Sequence, residues 1–183
     1  SWTGFLIWFV IWFAYNWWTS DRDDAIYYRL LEIAGGKLPE SQPGLPAIEP
    51  QRSFDALAAN NATNDYLLWQ LYDIPYVLLF LVLMTGAMAL CLKTLRLVES
   101  PLRRLMWLPV VFIGAEFVEN PLLAGFALGV LPLSEPLVLF QQTVTTVKFA
   151  AGVPAMLLAL VSLAVALVAQ AIRLVRRRGK PDG

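Results

Sequence analysis

The chain has 183 residues, of which 58% are hydrophobic and 15% charged, whereas a soluble domain is about a quarter charged and less than half apolar. Its net charge of +0 implies no strongly acidic or basic partner, nucleic acid included. Histidine is absent and Cys91 is the lone cysteine, which excludes His-ligated haem, zinc or copper, a Ser-His-Asp triad, an internal disulfide and a cysteine metal cluster, so no cofactor is expected.

The first element is an apolar stretch over about 2–18, dense in Trp and Phe, and long enough to approach a membrane span. Trp8 and Trp12 make its face bulky, suited to lipid contact or to stacking against a pigment, a quinone or a partner helix. The chain begins at Ser1, without Met, which points to natural residues preceding it. Residues 19–73 read as a long loop on the far side of the membrane, with nine acids against Arg22, Arg29, Lys37 and Arg52. Within it, Asp21-Arg22-Asp23-Asp24 caps a short helix over 25–33 that Gly35-Gly36 ends, and a second short helix runs over 53–59. The loop is too small for a core of its own and is expected to lie on the membrane surface or on a neighbouring protein. Asn61-Ala62-Thr63 matches the glycosylation pattern by chance.

The second span covers about 74–92, and Cys91 near its end is a small apolar filler. A basic connector follows, with Lys93, Arg96, Arg103 and Arg104. The third span covers about 105–130 and the fourth about 149–172, inside a longer run from 137 to 175 that Pro154 is placed to kink. Residues 173–183 form a basic tail explained by topology and anionic lipid. Aromatic residues 17, 18, 69, 72 and 76 fall at one interface and Trp107 at the other. The fold class expected is all-α: one domain, a bundle of four transmembrane helices with a long extracytoplasmic loop between helices one and two. Lys and Arg gather on the connector and the tail, so both termini are expected in the cytoplasm.

Carboxylates within a span are costly and need a partner, a proton or water. Glu116, Glu119 and Asn120 share one helical face at spacings of three and four, and Pro121 frees the carbonyl of Phe117 beside them. Lys148 on the fourth span is their natural partner, and Gln141, Gln142, Thr145 and Thr146 extend the polar face outward. These residues predict a polar pocket between spans three and four, in the outer half of the membrane. Two readings stay open: a Glu–Lys clamp that fixes packing, or a site for a headgroup, an ion or a proton. Gly125 and Gly129 form a GxxxG spacing, read as close helix packing and, second, as a subunit contact.

Three short stretches carry a resemblance: Tyr72-Asp73-Ile74-Pro75-Tyr76, Glu116-Phe117-Val118-Glu119-Asn120 and Thr145-Thr146-Val147-Lys148. Over about 66–171 the chain resembles small four-helix bacterial integral membrane proteins of uncharacterised function. The long loop and the Trp-rich first helix depart from that pattern. The layout is also similar to claudin-like and sterol-isomerase-like bundles, whose Cys pair and histidine are absent here. The resemblance implies a bacterial cytoplasmic (inner) membrane and no particular activity.

Phosphate-binding loops, CxxC pairs and nucleophile elbows are missing from the sequence. The function expected is a non-catalytic accessory or structural subunit, with membrane lipids and other membrane protein subunits as partners. The alternative is a bundle that binds or modifies a lipid-like molecule through Glu116, Glu119, Asn120 and Lys148. Ion or proton conduction through the same groups comes third.

Overall fold

In lipid a backbone amide has no water to bond, so long apolar segments resolve into helices. The computed structural model describes residues 1–38, 40 and 48–178, and among them there are five α-helices and no strand. They are α1 (Trp2–Ile33), α2 (Ile48–Ala59), α3 (Thr63–Leu95), α4 (Trp107–Ala127) and α5 (Glu135–Arg178), with a 3-10 turn at Pro101–Met106 leading into α4.

The main departure from the sequence reading is the loop between spans one and two. No proline or glycine lies between Gly4 and Gly35, so α1 runs unbroken through the acidic Asp21–Asp24 and absorbs the short helix expected at 25–33. The Ser1 hydroxyl caps its start by accepting from the Gly4 amide at 3.1 Å. Gly35 and Gly36, at φ of +73° and +84°, end it, and the Gly36 amide donates to the Leu31 carbonyl at 2.7 Å. The second short helix begins earlier than expected, at Ile48, and α3 starts at Thr63 rather than near 74. Pro75, near the expected start of the second span, lies inside α3, where it leaves the Leu71 carbonyl without its helical donor. The segment expected to lie without a core instead shares one. Leu30, Leu38, Phe54, Leu57, Tyr66, Leu123 and Phe126 pack together, joining α1, α2, α3 and α4 at one end of the molecule.

The long helices alternate in direction. Along α1 and α3, Trp12 stacks on Phe80, the Tyr15 hydroxyl donates to the Tyr72 carbonyl at 2.7 Å, and Arg29 pairs with Asp65 at 2.8 Å, so these two run antiparallel. Along α4 and α5, Phe112 meets Gly152, Glu116 meets Lys148 and Glu119 meets Thr145, again antiparallel. Helices α3 and α5 run parallel: Met84 and Ala87 pack with Ala155 and Ala159, and Arg173 donates to the Thr94 carbonyl.

Among the described residues three helical segments are long and apolar enough to cross a membrane: α3, the 3-10 turn with α4, and α5. Four had been expected. Helix α1 draws its bulk from Trp and Tyr, whose polar ends lower its hydropathy below that of the Leu- and Val-rich helices. Helix α5 has 44 residues, roughly 66 Å at the helical rise and about twice a bilayer core. Its outward face carries Val153, Leu157, Leu160, Val161 and Val168, all exposed, which is the pattern of a helix whose solvent is lipid.

Candidate functional site

The site is built on the antiparallel seam of α4 and α5. Gly152 lets α5 approach so closely that a Cβ there would lie 2.7 Å from the Phe112 ring. One turn away this closeness brings acids and base together. Glu119 is fully buried, and its Oε1 accepts from the Gln141 amide at 2.9 Å and from the Thr145 hydroxyl. Its Oε2 has no hydrogen-bond partner of ordinary geometry and is instead ion-paired with the Lys148 ammonium. The same ammonium lies 3.4 Å from both oxygens of Glu116 and 5.5 Å from the centre of the Phe149 ring. A base and two acids are thus packed where charge without a partner is costly, and the one lysine is shared between the two acids.

The cluster does not close on itself. Beside it lies a cavity of about 230 Å³ lined by Glu116, Asn120 and Lys148 from the seam, by Gln70 and Asp73 from α3, and by Glu40. Tyr27, Trp69 and Phe149 supply its aromatic walls. Asn120 and Asp73 both line the cavity, so α4 and α3 face it together. Glu40 is buried, and its Oε2 accepts from the Tyr66 hydroxyl at 3.1 Å, which itself accepts from the Gln70 amide at 3.1 Å. Its other oxygen, Oε1, has no hydrogen-bond partner among the described residues. Burial pushes the Glu40 carboxyl up to about 7, against the opposing hydrogen bonds from its own backbone and from Tyr66.

A second, larger cavity of about 450 Å³ adjoins the first and shares Trp69 and Asp73 with it. Tyr15, Asn16, Thr19, Ser20, Asp23 and Asp24 of α1 and Tyr72 and Tyr76 of α3 form the rest of its lining. Burial, with Asp24 alongside, raises the Asp23 carboxyl, opposed by a hydrogen bond from the Trp69 indole.

The residues singled out from sequence divide into two groups. Glu116, Glu119, Gln141, Thr145 and Lys148 come together, and Asn120 joins them across the cavity. Gln142 is partly buried but does not line the cavity; its carbonyl accepts from the Thr146 hydroxyl at 2.8 Å. The GxxxG pair belongs to the end of α4. A Cβ on Gly125 would lie 2.6 Å from Leu131 of the following turn, and Gly129 takes φ of +66° just past the helix. Trp12 stacks inside the bundle on Phe80 at 6.3 Å, and Trp8 stays exposed beside Phe5 and Gly86.

Sequence reasoning missed Asp73, Gln70, Tyr66 and Glu40. A signal existed for the first three: positions 66, 70 and 73 repeat at four and three, which is one face of a helix. Among the described residues no group of three His, Cys, Asp or Glu side chains is arranged to hold a metal ion. No protein-family model, no curated protein and no solved structure matches the chain.

Proposed function

We propose that this chain is a four-pass bundle of the bacterial cytoplasmic (inner) membrane that holds a small polar molecule or a lipid headgroup in its carboxylate-lined cavity. The observation that carries this is the open space beside the Glu–Lys cluster. A clamp accounts for Glu119, Gln141, Thr145 and Lys148, which satisfy one another. It does not account for Glu40, Gln70, Asp73 and Asn120 facing a cavity of about 230 Å³. Polar groups kept around a void in a low-dielectric interior are costly unless something occupies it.

Helix α1 serves as the fourth span in this reading. It has no charged side chain before Asp21, runs antiparallel to the apolar part of α3 and exposes Leu6, Ile7, Val10 and Phe13. Ser1, the connector bases Lys93, Arg96, Arg103 and Arg104, and Arg173 gather at one end, and that end faces the cytoplasm by the bias of basic residues toward the inside. The acids of α1 and the two cavities then lie in the outer half.

The test is to purify the protein gently from its native membrane and weigh it intact. The wild type should carry a small molecule that Asp73→Asn and Glu116→Gln each lose while helicity and melting are kept. A wild type without any bound molecule, or variants that retain it, would refute the reading. The second reading, an accessory subunit, is favoured by the exposed aromatic face of α1, with Trp8, Phe9, Phe13 and Trp17. The same preparation decides it, since a subunit would bring its membrane protein partner in fixed ratio.

A further inference from the structure

Charge in the cavity is unbalanced. Lys148 is the one Lys or Arg among the described residues lining either cavity, and its single charge is already shared with Glu119, which lies outside the cavity lining. Glu116, Asp73 and Glu40 are the surplus, and residues 39–47 contain no Lys or Arg that could offset them. Glu40 adds an independent signal. It is only 7% exposed, it lines the cavity, and its Oε1 lacks a donor among the described residues. A buried acceptor of this kind is costly unless ordered water or a ligand supplies the missing hydrogen.

Building on the binding-site reading, we propose that the cavity takes the primary ammonium group of a small amine or of an aminolipid headgroup. Three N–H donors on one nitrogen suit oxygens presented from three directions, by the connection before α2, by α3 and by α4. The rings of Tyr27, Trp69 and Phe149 offer faces to the same cation, and Phe149 already lies 5.5 Å from the ammonium of Lys148. The adjoining cavity gives a route of matching sign, since Asp23 and Asp24 stand before the shared Asp73 and attract a cation inward. An anion would meet the same acids as repulsion.

The test uses the full chain in phosphatidylcholine nanodiscs, whose headgroup nitrogen has no hydrogen to donate. Ethanolamine is titrated by calorimetry and by its effect on melting, beside tetramethylammonium and glycerol 3-phosphate. Ethanolamine should bind saturably and raise the melting temperature. Glu40→Gln and Asp73→Asn should each weaken it about tenfold or more, the worth of one charge-assisted hydrogen bond. Native mass spectrometry in mixed phosphatidylethanolamine and phosphatidylcholine separates the sources: retention of phosphatidylethanolamine marks the headgroup, and ethanolamine binding without it marks a free amine. The proposal is overturned if tetramethylammonium binds as well as ethanolamine or if both variants bind like the wild type. Binding of glycerol 3-phosphate alone overturns the ammonium assignment and leaves the site reading standing, and no binding by any probe defeats both.

Discussion

Lys148 lies 3.4 Å from Glu116 and is also paired with Glu119, so one ammonium on α5 answers two carboxylates on one face of α4. The two acids are not equivalent. Glu119 has further donors in Gln141 and Thr145, whereas Glu116 borders the cavity and, among the described residues, has Lys148 as its hydrogen-bond partner.

Lys148→Met should therefore damage the fold chiefly through Glu119, left fully buried without its counter-charge. The expected loss is about 3–5 kcal/mol, the cost of breaking a buried pair on one side. Thermal melting in mild detergent measures it. The double variant Lys148→Met with Glu119→Gln should recover most of the loss, because the amide keeps a polar oxygen for Gln141 and Thr145.

Tyr66→Phe removes the hydroxyl between Gln70 and Glu40, so Glu40 loses its one side-chain donor among the described residues. Destabilisation of about 1–3 kcal/mol is expected, the penalty of a buried acceptor left unpaired. Urea or thermal unfolding of the two proteins at the same pH gives the difference.

Glu40 also sets a pH dependence. Its carboxyl sits at about 7 in the fold against an ordinary value of 4.5, so the folded state holds the proton more tightly than the unfolded chain. The stabilisation is fully present below about 4.5 and is lost as pH rises through about 7. Melting temperature should fall across this window in the wild type, and Glu40→Gln should flatten that part of the profile. A profile of the variant as steep as the wild type's would show that another group titrates.

Gly152→Ala should spread the seam that assembles the site, since the added carbon meets the Phe112 ring at 2.7 Å. A cost of about 1–3 kcal/mol is expected from overpacking. Combining it with Phe112→Leu should restore part of the stability, read as a coupling energy in a double-mutant cycle.

The helical class and the partnership of Glu116 and Glu119 with Lys148 were legible because lipid tolerates few alternatives: apolar runs must be helices, and buried charges must pair. The ends of the helices were not. Acidic residues 21–24 looked like a start, yet without a glycine or proline before Gly35 the helix simply continued. The second span was expected to start near 74, and that placed Asp73, Gln70 and Tyr66 in a loop and hid their common face. Glu40 reaches the site through tertiary packing from a connection, for which the sequence has no periodic trace. Gly125 and Gly129 share a spacing with a known use in helix pairing; within this chain Gly125 lies against Leu131 and Gly129 takes positive φ just past the helix.

The unbroken α1, at 32 residues, is a rod of roughly 48 Å by the helical rise, longer than a hydrocarbon core of about 30 Å. In the proposed four-pass arrangement such a rod does not stretch, so its surplus stands clear of the acyl chains and carries Asp23 and Asp24 up with it. Bilayer thickness then sets how far the mouth of the acidic cavity rises above the headgroups. In a thick, sterol-like membrane that mouth would sink toward the phosphates, and in a thin one it would open to bulk water.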